Sequence, residues 1–194
     1  MRVISGKLKA RIIAMPKLIR PTSDKVREAL FEILKNCIEG SNFLDLYSGS
    51  GAIGIEAFSR GAKSVAFVDN NFRCIEVLKD NLAKCGISDL STIYIYNREA
   101  LSALKLFEKK GFLFDIIFLD PPYYKDMAKN TLIAISKCDI LRRNAIVILE
   151  TYKKENLDEE AGFLKKFRSY RYGDTKLEFF RNKNEKDSDL SRQF

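Results

Sequence analysis

The chain has 194 residues, of which 46% are hydrophobic and 31% charged, with a net charge of +8 and no histidine. This length supports one well-buried core, and the composition is that of a globular protein rather than a disordered or fibrous one. No apolar run approaches the roughly eighteen residues of a membrane helix, MRVISGKLKARII is too polar for a signal-peptide core, and without imidazole the usual triad base and the usual zinc ligand are missing.

Residues 1–27 carry Arg2, Lys7, Lys9, Arg11, Lys17, Arg20, Lys25 and Arg27 against the single acid Asp24, a local charge of +7. A solvated surface accounts for such a run, but its concentration at one end points toward a polyanion partner. Within it, RVISG and KARIIAM predict a short hairpin. TSDKVREALFEILKN then predicts a helix with Val26, Leu30, Ile33, Leu34 and Cys37 on one face behind a Thr22 or Ser23 cap.

Beyond residue 38 short apolar strands alternate with helices. Strands are predicted at 42–48, 64–69, 91–96, 115–120 and 145–150, without clean polar alternation, as where both faces of a sheet are covered. Helices are predicted at 52–60, 71–85, 98–110 and 126–137, the first three ending at Gly61, Gly86 and Gly111. The pattern is a doubly wound α/β sheet, Rossmann-like and mostly parallel. KKFRSYRYGDTKLEFFR adds two strands joined at Gly173 and Asp174, an antiparallel hairpin closing one edge. The expected organisation is a basic hairpin and helix over 1–38, a ligand-binding α/β domain over 39–182 and a flexible tail over 183–194. Cys37, Cys74, Cys85 and Cys138 form no C-x-x-C pair and read as reduced core residues. No metal is expected, and the cytoplasm is the expected compartment.

In such sheets ligands sit beyond the carboxyl ends of the strands, where strand order reverses. LDLYSGSGAIGIE, residues 44–56, puts Gly49, Gly51 and Gly54 at G-x-G-x-x-G spacing between a strand and a helix, and Asp69 ends the next strand. A dinucleotide-binding dehydrogenase is the first reading to test. Asp45 argues against it, because a pyrophosphate at the helix start would meet a carboxylate. A ligand carrying a sulfonium and an ammonium would be attracted instead, and S-adenosylmethionine is such a ligand. Gly49 and Gly51 would let the backbone approach its methionine part, and Asp69 would accept hydrogen bonds from both ribose hydroxyls. A ligand-free tight turn would also use these glycines with Ser48 and Ser50, although three glycines exceed what turning needs.

The stretch DIIFLDPPYYKD ends a buried strand on Asp120, Pro121, Pro122 and Tyr123. An exocyclic base amine is a poor nucleophile because its lone pair is delocalised into the ring. Asp120 Oδ and the Pro121 carbonyl would take its two N–H bonds and draw the nitrogen toward tetrahedral geometry. The prolines stiffen the loop without adding N–H donors, and Tyr123 offers a face for stacking, worth about 1–3 kcal/mol. A Pro-Pro strand breaker beside tyrosines that simply pack is the other reading of this loop. The glycine loop in the same sheet favours the chemical one.

A glycine loop after the first strand, an acid after the second and DPPY after the fourth resemble the class I S-adenosylmethionine-dependent methyltransferases that modify exocyclic amines. MRVISGKLKARII, RPTSDKVREALFEIL, FLDLYSGSGAIGIEAFSRGA, IIFLDPPY and YGDTKLEFFR together resemble the RsmD family of bacterial 16S rRNA (guanine-N2)-methyltransferases, over residues 1–181. The resemblance implies methyl transfer from S-adenosylmethionine to N2 of a guanine in 16S rRNA during small-subunit biogenesis, guanine 966 in the family. It implies that Asp45, Ser48, Gly49, Gly51, Asp69 and Asn70 hold the cofactor, and that Asp120 to Tyr123 hold the guanine amine. Arg20 and Thr22 would border the methionine end, although they equally suit an RNA contact and a helix cap. After the third strand such enzymes usually carry an acid for the adenine amine. Here YNREAL leaves Glu99 or Asn97 to do that work, and Glu99 equally suits a helix start. Arg2, Lys7, Lys9, Arg11 and Arg20 would contact RNA, the partner being 16S rRNA or a small-subunit assembly particle met by a monomer.

Two other classes use parts of this pattern. A DNA adenine-N6 or cytosine-N4 methyltransferase shares the DPPY logic but commonly carries a target-recognition segment longer than any insertion here. A non-enzymatic RNA-binding assembly factor would explain the basic end and leave residues 120–123 unexplained.

Overall fold

The computed structural model describes residues 1–16, 22–122, 126–155 and 157–184. Arg20, Tyr123 and residues 185–194 of the expected tail lie outside the described residues. The order is α1 (Asp24–Ile33), β1 (Asn42–Leu46), α2 (Ala52–Ser59), β2 (Ser64–Asp69), α3 (Phe72–Lys84), β3 (Ile93–Asn97), α4 (Ala100–Lys109), β4 (Phe114–Leu119) and α5 (Met127–Lys137). Then come β5 (Leu141–Tyr152), β6 (Glu160–Ala161), β7 (Leu164–Tyr172) and β8 (Thr175–Asn182).

All eight strands form one sheet in the order β3-β2-β1-β4-β5-β8-β7-β6. The first five strands in that order run parallel, and β8 pairs antiparallel with β5. The chain starts at β1, winds outward to β3, then crosses to β4, so strand order reverses between β1 and β4. Both faces are covered, which is why the strands lack alternation. One apolar cluster joins Phe43, Phe67 and Phe118 to α1, α2 and α3, and the other joins Leu44, Val68 and Leu119 to α4 and α5.

Differences from the expected boundaries have local causes. Ser23 caps α1, its hydroxyl accepting from the Val26 N–H at 3.3 Å, whereas the Thr22 hydroxyl donates to Glu150 at 2.9 Å. The helix stops at Ile33, and the turn that follows brings Ile38 into the core while Cys37 remains half-buried. β1 stops at Leu46 because Tyr47 takes a left-handed backbone with φ 69°. The two-residue β6 is too short to leave a periodic signature.

The N-terminal hairpin is reduced to one antiparallel bridge, Arg2 to Ile12, with Val3 and Ala10 amides donating to the Arg11 and Val3 carbonyls at 2.9 Å each. It is held from outside rather than by its own ladder. Glu56, fully buried on α2, accepts from the amides of Ile4 and Ser5 at 2.7 and 3.0 Å and from Arg60 Nε at 2.7 Å. On α3, Asn81 accepts from the Ala14 amide at 2.8 Å, and its Nδ2 donates to the carbonyls of Ala14 and Ser50 at 2.9 Å each. Val3 and Ile13 enter the same apolar cluster as α1 to α3, so packing runs unbroken across residue 38. Glu56→Ala leaves those two amides and Arg60 without their acceptor, at about 1–3 kcal/mol per unmet group. A drop of several kcal/mol in denaturant unfolding is expected, and a loss below about 1 kcal/mol would mean the segment is held by its apolar residues alone.

Candidate active site

The cleft at the strand-order reversal is built from the carboxyl ends of β1 and β4 and from the segments that cross them. Its lining includes Thr22, Asp45, Ser48, Gly49 and Asp120, five of the expected site residues. Met1, Met15, Ile53 and Phe118 also line it and carry no site signal in the sequence. The methionines arrive because Asn81, Glu56 and Ser59, with Val3 and Ile13 in the core, dock the N-terminal segment here.

The glycine loop is shaped by its acids. Asp45 is fully buried at the end of β1, and its Oδ2 accepts from the Gly54 amide at 2.9 Å, fixing the first turn of α2. A Cβ on Gly54 would lie 2.2 Å from the Phe67 ring, so this glycine lets α2 lie against β2. Gly51 has φ 77°, and a Cβ added to it would lie 2.2 Å from Leu78 of α3, so its bare side is turned toward packing rather than the cleft. Gly49, at φ 53°, has open space beside it. Its amide donates to Asp69 Oδ2 at 2.8 Å, while Asp69 Oδ1 takes the Asn71 amide at 2.8 Å. Each carboxylate oxygen of Asp69 thus has one backbone donor and further lone-pair capacity.

Beyond β2 and β3 the rim is polar. Asn70 Nδ2 donates to Glu99 Oε1 at 2.7 Å, and Asn97 Nδ2 donates to the Asp69 carbonyl at 3.0 Å. Glu99 stands at the start of α4 without capping it and reaches across to Asn70. Of the two candidates for the adenine position, Asn97 is therefore engaged with the backbone, and the Glu99 carboxylate lies beside Asn70. Tyr47, on the cleft wall, hydrogen-bonds Thr131 at 2.8 Å and ties the glycine loop to α5, the helix that follows the DPPY segment.

Asp120 follows β4 directly, with Pro121 buried and Pro122 exposed. Among the described residues no donor is bonded to its carboxylate. Burial pushes Asp120 up to about 7, and burial together with the charges of Asp69 and Asp120 pushes Asp45 up to about 7 against its Gly54 hydrogen bond. Asp69 is raised as well, first by burial and also by Glu99, despite its two amide donors. Ser48 Oγ is buried in the same cleft with no hydrogen-bond partner among the described residues. A cleft lined by two raised carboxyls and a buried hydroxyl, with a third raised carboxyl bonded to its Gly49, suits a cationic, polar ligand and opposes a pyrophosphate. These residues fit the sulfonium and amino-acid end of S-adenosylmethionine.

The raised Asp45 has a consequence for stability. Between the ordinary carboxylate range and about 7 the folded chain holds a proton that the unfolded chain has released, so stability falls as pH rises through that window. Asp45→Asn keeps an acceptor for the Gly54 amide and removes the buried charge. The ligand-free variant is expected to melt higher than wild type at pH 8 and close to it at pH 4. Equal melting temperatures at both pH values would mean that Asp45 is ionised at no cost.

The family model described as Conserved hypothetical protein 95 matches residues 1–181. The chain belongs to this family, the RsmD family. Ribosomal RNA small subunit methyltransferase D of Haemophilus influenzae is 35% identical to it over 162 residues, 80% of this chain and 81% of that protein. The Escherichia coli protein of the same name is 30% identical over 158 residues, 80% of this chain and 77% of that protein. The solved Escherichia coli chain yhhF, provisionally described as a methyltransferase, matches with a TM-score of 0.83 at 27% identity, over 95% of this chain and 99% of that one. The RsmD-family chain thus has a methyltransferase fold. Among its described residues no helix is long and apolar enough to cross a membrane, and no group of three or more Cys, Asp or Glu is placed to hold a metal.

Proposed function

We propose that this RsmD-family chain transfers a methyl group from S-adenosylmethionine to the exocyclic N2 of a guanine in 16S rRNA. The observation that carries this reading is the convergence of Asp45, Asp69, Asp120 and the unpartnered Ser48 hydroxyl around the strand-order reversal. Its relatives named for small-subunit rRNA methylation support the substrate class.

When bound, the cofactor supplies an electrophilic methyl on a sulfonium. Asp45 and Ser48 face its charged end, Gly49 leaves room beside the loop, and Asp69 accepts from the ribose. Asp120 and the Pro121 carbonyl take the two N–H bonds of the guanine amine and fix its lone pair in line, so that orientation lowers the barrier. The amine becomes acidic as it is alkylated, and Asp120 holds or passes on its proton. Tyr123 carries the stacking role by its place in DPPY. Residues 39–182 hold most of this chemistry, Thr22 stands on the cleft wall, and the exposed basic side chains of residues 1–38 face the RNA. The test is transfer of labelled methyl to naked 16S rRNA, small-subunit particles and duplex DNA. Label in guanine N2 of the rRNA or particle is expected; label in DNA alone, or none in any, would end the proposal.

The RNA-facing charges reside on Arg2, Lys7, Lys9 and Arg11, which are exposed, with Arg20 outside the described residues. Arg27 does not belong to that surface, because it is fully buried against Asp24 at 2.9 Å and the Arg2 carbonyl at 2.7 Å. Lys7 also lies 3.6 Å over the Phe58 ring. Replacing Lys7, Lys9 and Arg11 by glutamate should reduce RNA affinity and lower the salt slope by about 0.7–0.9 per lost contact, with cofactor affinity unchanged. An unaltered slope would leave these side chains as a solvated face.

A further inference from the structure

The positive charge of this chain sits in two places, and only the first has a role above. Residues 164–183 carry Lys165, Lys166, Arg168, Arg171, Lys176, Arg181 and Lys183 against Asp174 and Glu178, a local charge of +5. With +7 on residues 1–27, the rest of the chain has a net charge of −4, because the whole carries +8. The two segments are far apart in sequence and share one face of the sheet. Val3 and Ile13 pack into the same apolar cluster as Phe167, Tyr170 and Tyr172 of β7.

The direction of β7 places it usefully. It is antiparallel to β8, which is antiparallel to β5, so β7 runs parallel to β5 and its carboxyl end emerges on the side of the cleft. Cross-strand pairing fixes which side chains share the face. Arg168 stands opposite Phe179 and Tyr170 opposite Leu177, both residues of that cluster, and Lys165 stands opposite Arg181, whose guanidinium lies 5.2 Å over the Phe167 ring. A register shift between Lys166 and Arg168 interrupts the strand's regular alternation at this point. Arg168 also donates to the Tyr170 hydroxyl at 3.3 Å. The result is a ladder of cations interleaved with half-buried rings, leading toward the Gly173–Asp174 turn at the cleft end.

Edge protection would account for charge on such a strand, since only the two-residue β6 lies outside it. It does not account for the rings. Tyr170 and Tyr172 are half-buried against the core cluster, and Lys165 and Arg168, which precede them along β7, are exposed. Alternating cations and aromatic faces are what an irregular RNA strand requires, phosphates taking the charge and unpaired bases taking the rings.

Resting on the proposed rRNA methylation, we infer that the β7–β8 hairpin is a second RNA-contact surface, gripping single-stranded RNA that flanks the target. The experiment compares wild type with Lys165→Gln/Arg168→Gln/Arg181→Gln and, separately, Tyr172→Leu. Circular dichroism melting and S-adenosylmethionine affinity check that each variant is folded. With a 16S rRNA fragment as probe, the triple variant should bind on the order of ten- to a hundredfold more weakly at 0.1 M salt, with the salt slope reduced by about 2 to 3. Tyr172→Leu should weaken binding at every salt concentration and leave the slope unchanged, since stacking releases no counterions. Wild-type affinity and slope in the folded triple variant would overturn the proposal and leave the charges as edge protection. Absence of RNA methylation by wild type is a separate outcome, which would remove the function first.

Discussion

Asp120→Ala is expected to lower kcat on the order of 10²–10³-fold, the usual cost of deleting one pre-positioned group that acts only in the transition state. S-adenosylmethionine affinity should stay near wild type, because the carboxylate is directed at the amine rather than at the cofactor. Asp120→Asn should be nearly as poor, since its amide adds donors where the guanine amine already donates. The raised pKa of Asp120 gives a further signature. The working form is the carboxylate, so wild-type turnover should rise with pH through about 7 and then level off, and the residual activity of Asp120→Ala should lack that limb. Single-turnover rates on saturating RNA across pH 5.5 to 9, a range of roughly two units either side of 7, would show it. Near-normal turnover in Asp120→Ala would end the mechanism.

Asp69→Ala should be the most damaging change for cofactor binding. Two charge-assisted hydrogen bonds to ribose hydroxyls are worth about 1.5–3 kcal/mol each, and each 1.4 kcal/mol is about tenfold in affinity. The same carboxylate also holds the amides of Gly49 and Asn71, so its loss releases the glycine loop as well. Calorimetry should give a dissociation constant raised on the order of a hundredfold or more. NAD should not compete with S-adenosylmethionine in wild type. Tight NAD binding without S-adenosylmethionine binding would bring back the dehydrogenase reading that Asp45 opposes.

Much of the fold was legible because the parallel strands are buried on both faces and the helices between them end at glycines. Gly61, Gly86 and Gly111 all have positive φ at helix ends, where a side chain would be strained. Asp45, Asp69 and Asp120 were legible as candidate site residues because each ends or nearly ends a strand, and strand ends are where sheets of this kind place their ligands. Gly51 was half legible: the sequence identified the turn but could not distinguish a glycine open to a ligand from one pressed on Leu78. Met1 and Met15 were not legible at all. Their place on the cleft depends on side chains of α2 and α3 some 50 to 70 positions away, and no local periodicity encodes such a contact. Thr22 was ambiguous in the sequence, and the structure removes only the cap reading, since Ser23 caps α1 and the Thr22 hydroxyl is bonded to Glu150 of β5.

Asn81 is fully buried, and its one amide serves two partners of different kinds: Ala14, in the segment proposed to face RNA, and Ser50, inside the glycine loop. A group shared in this way gives the two proposed occupancies a physical route to thermodynamic linkage. Any factor by which bound RNA tightens S-adenosylmethionine must be matched by the same factor in the opposite direction. Order of addition then changes the route and not the final free energy of the ternary complex, and the apparent dissociation constant for RNA becomes a function of how much cofactor is present.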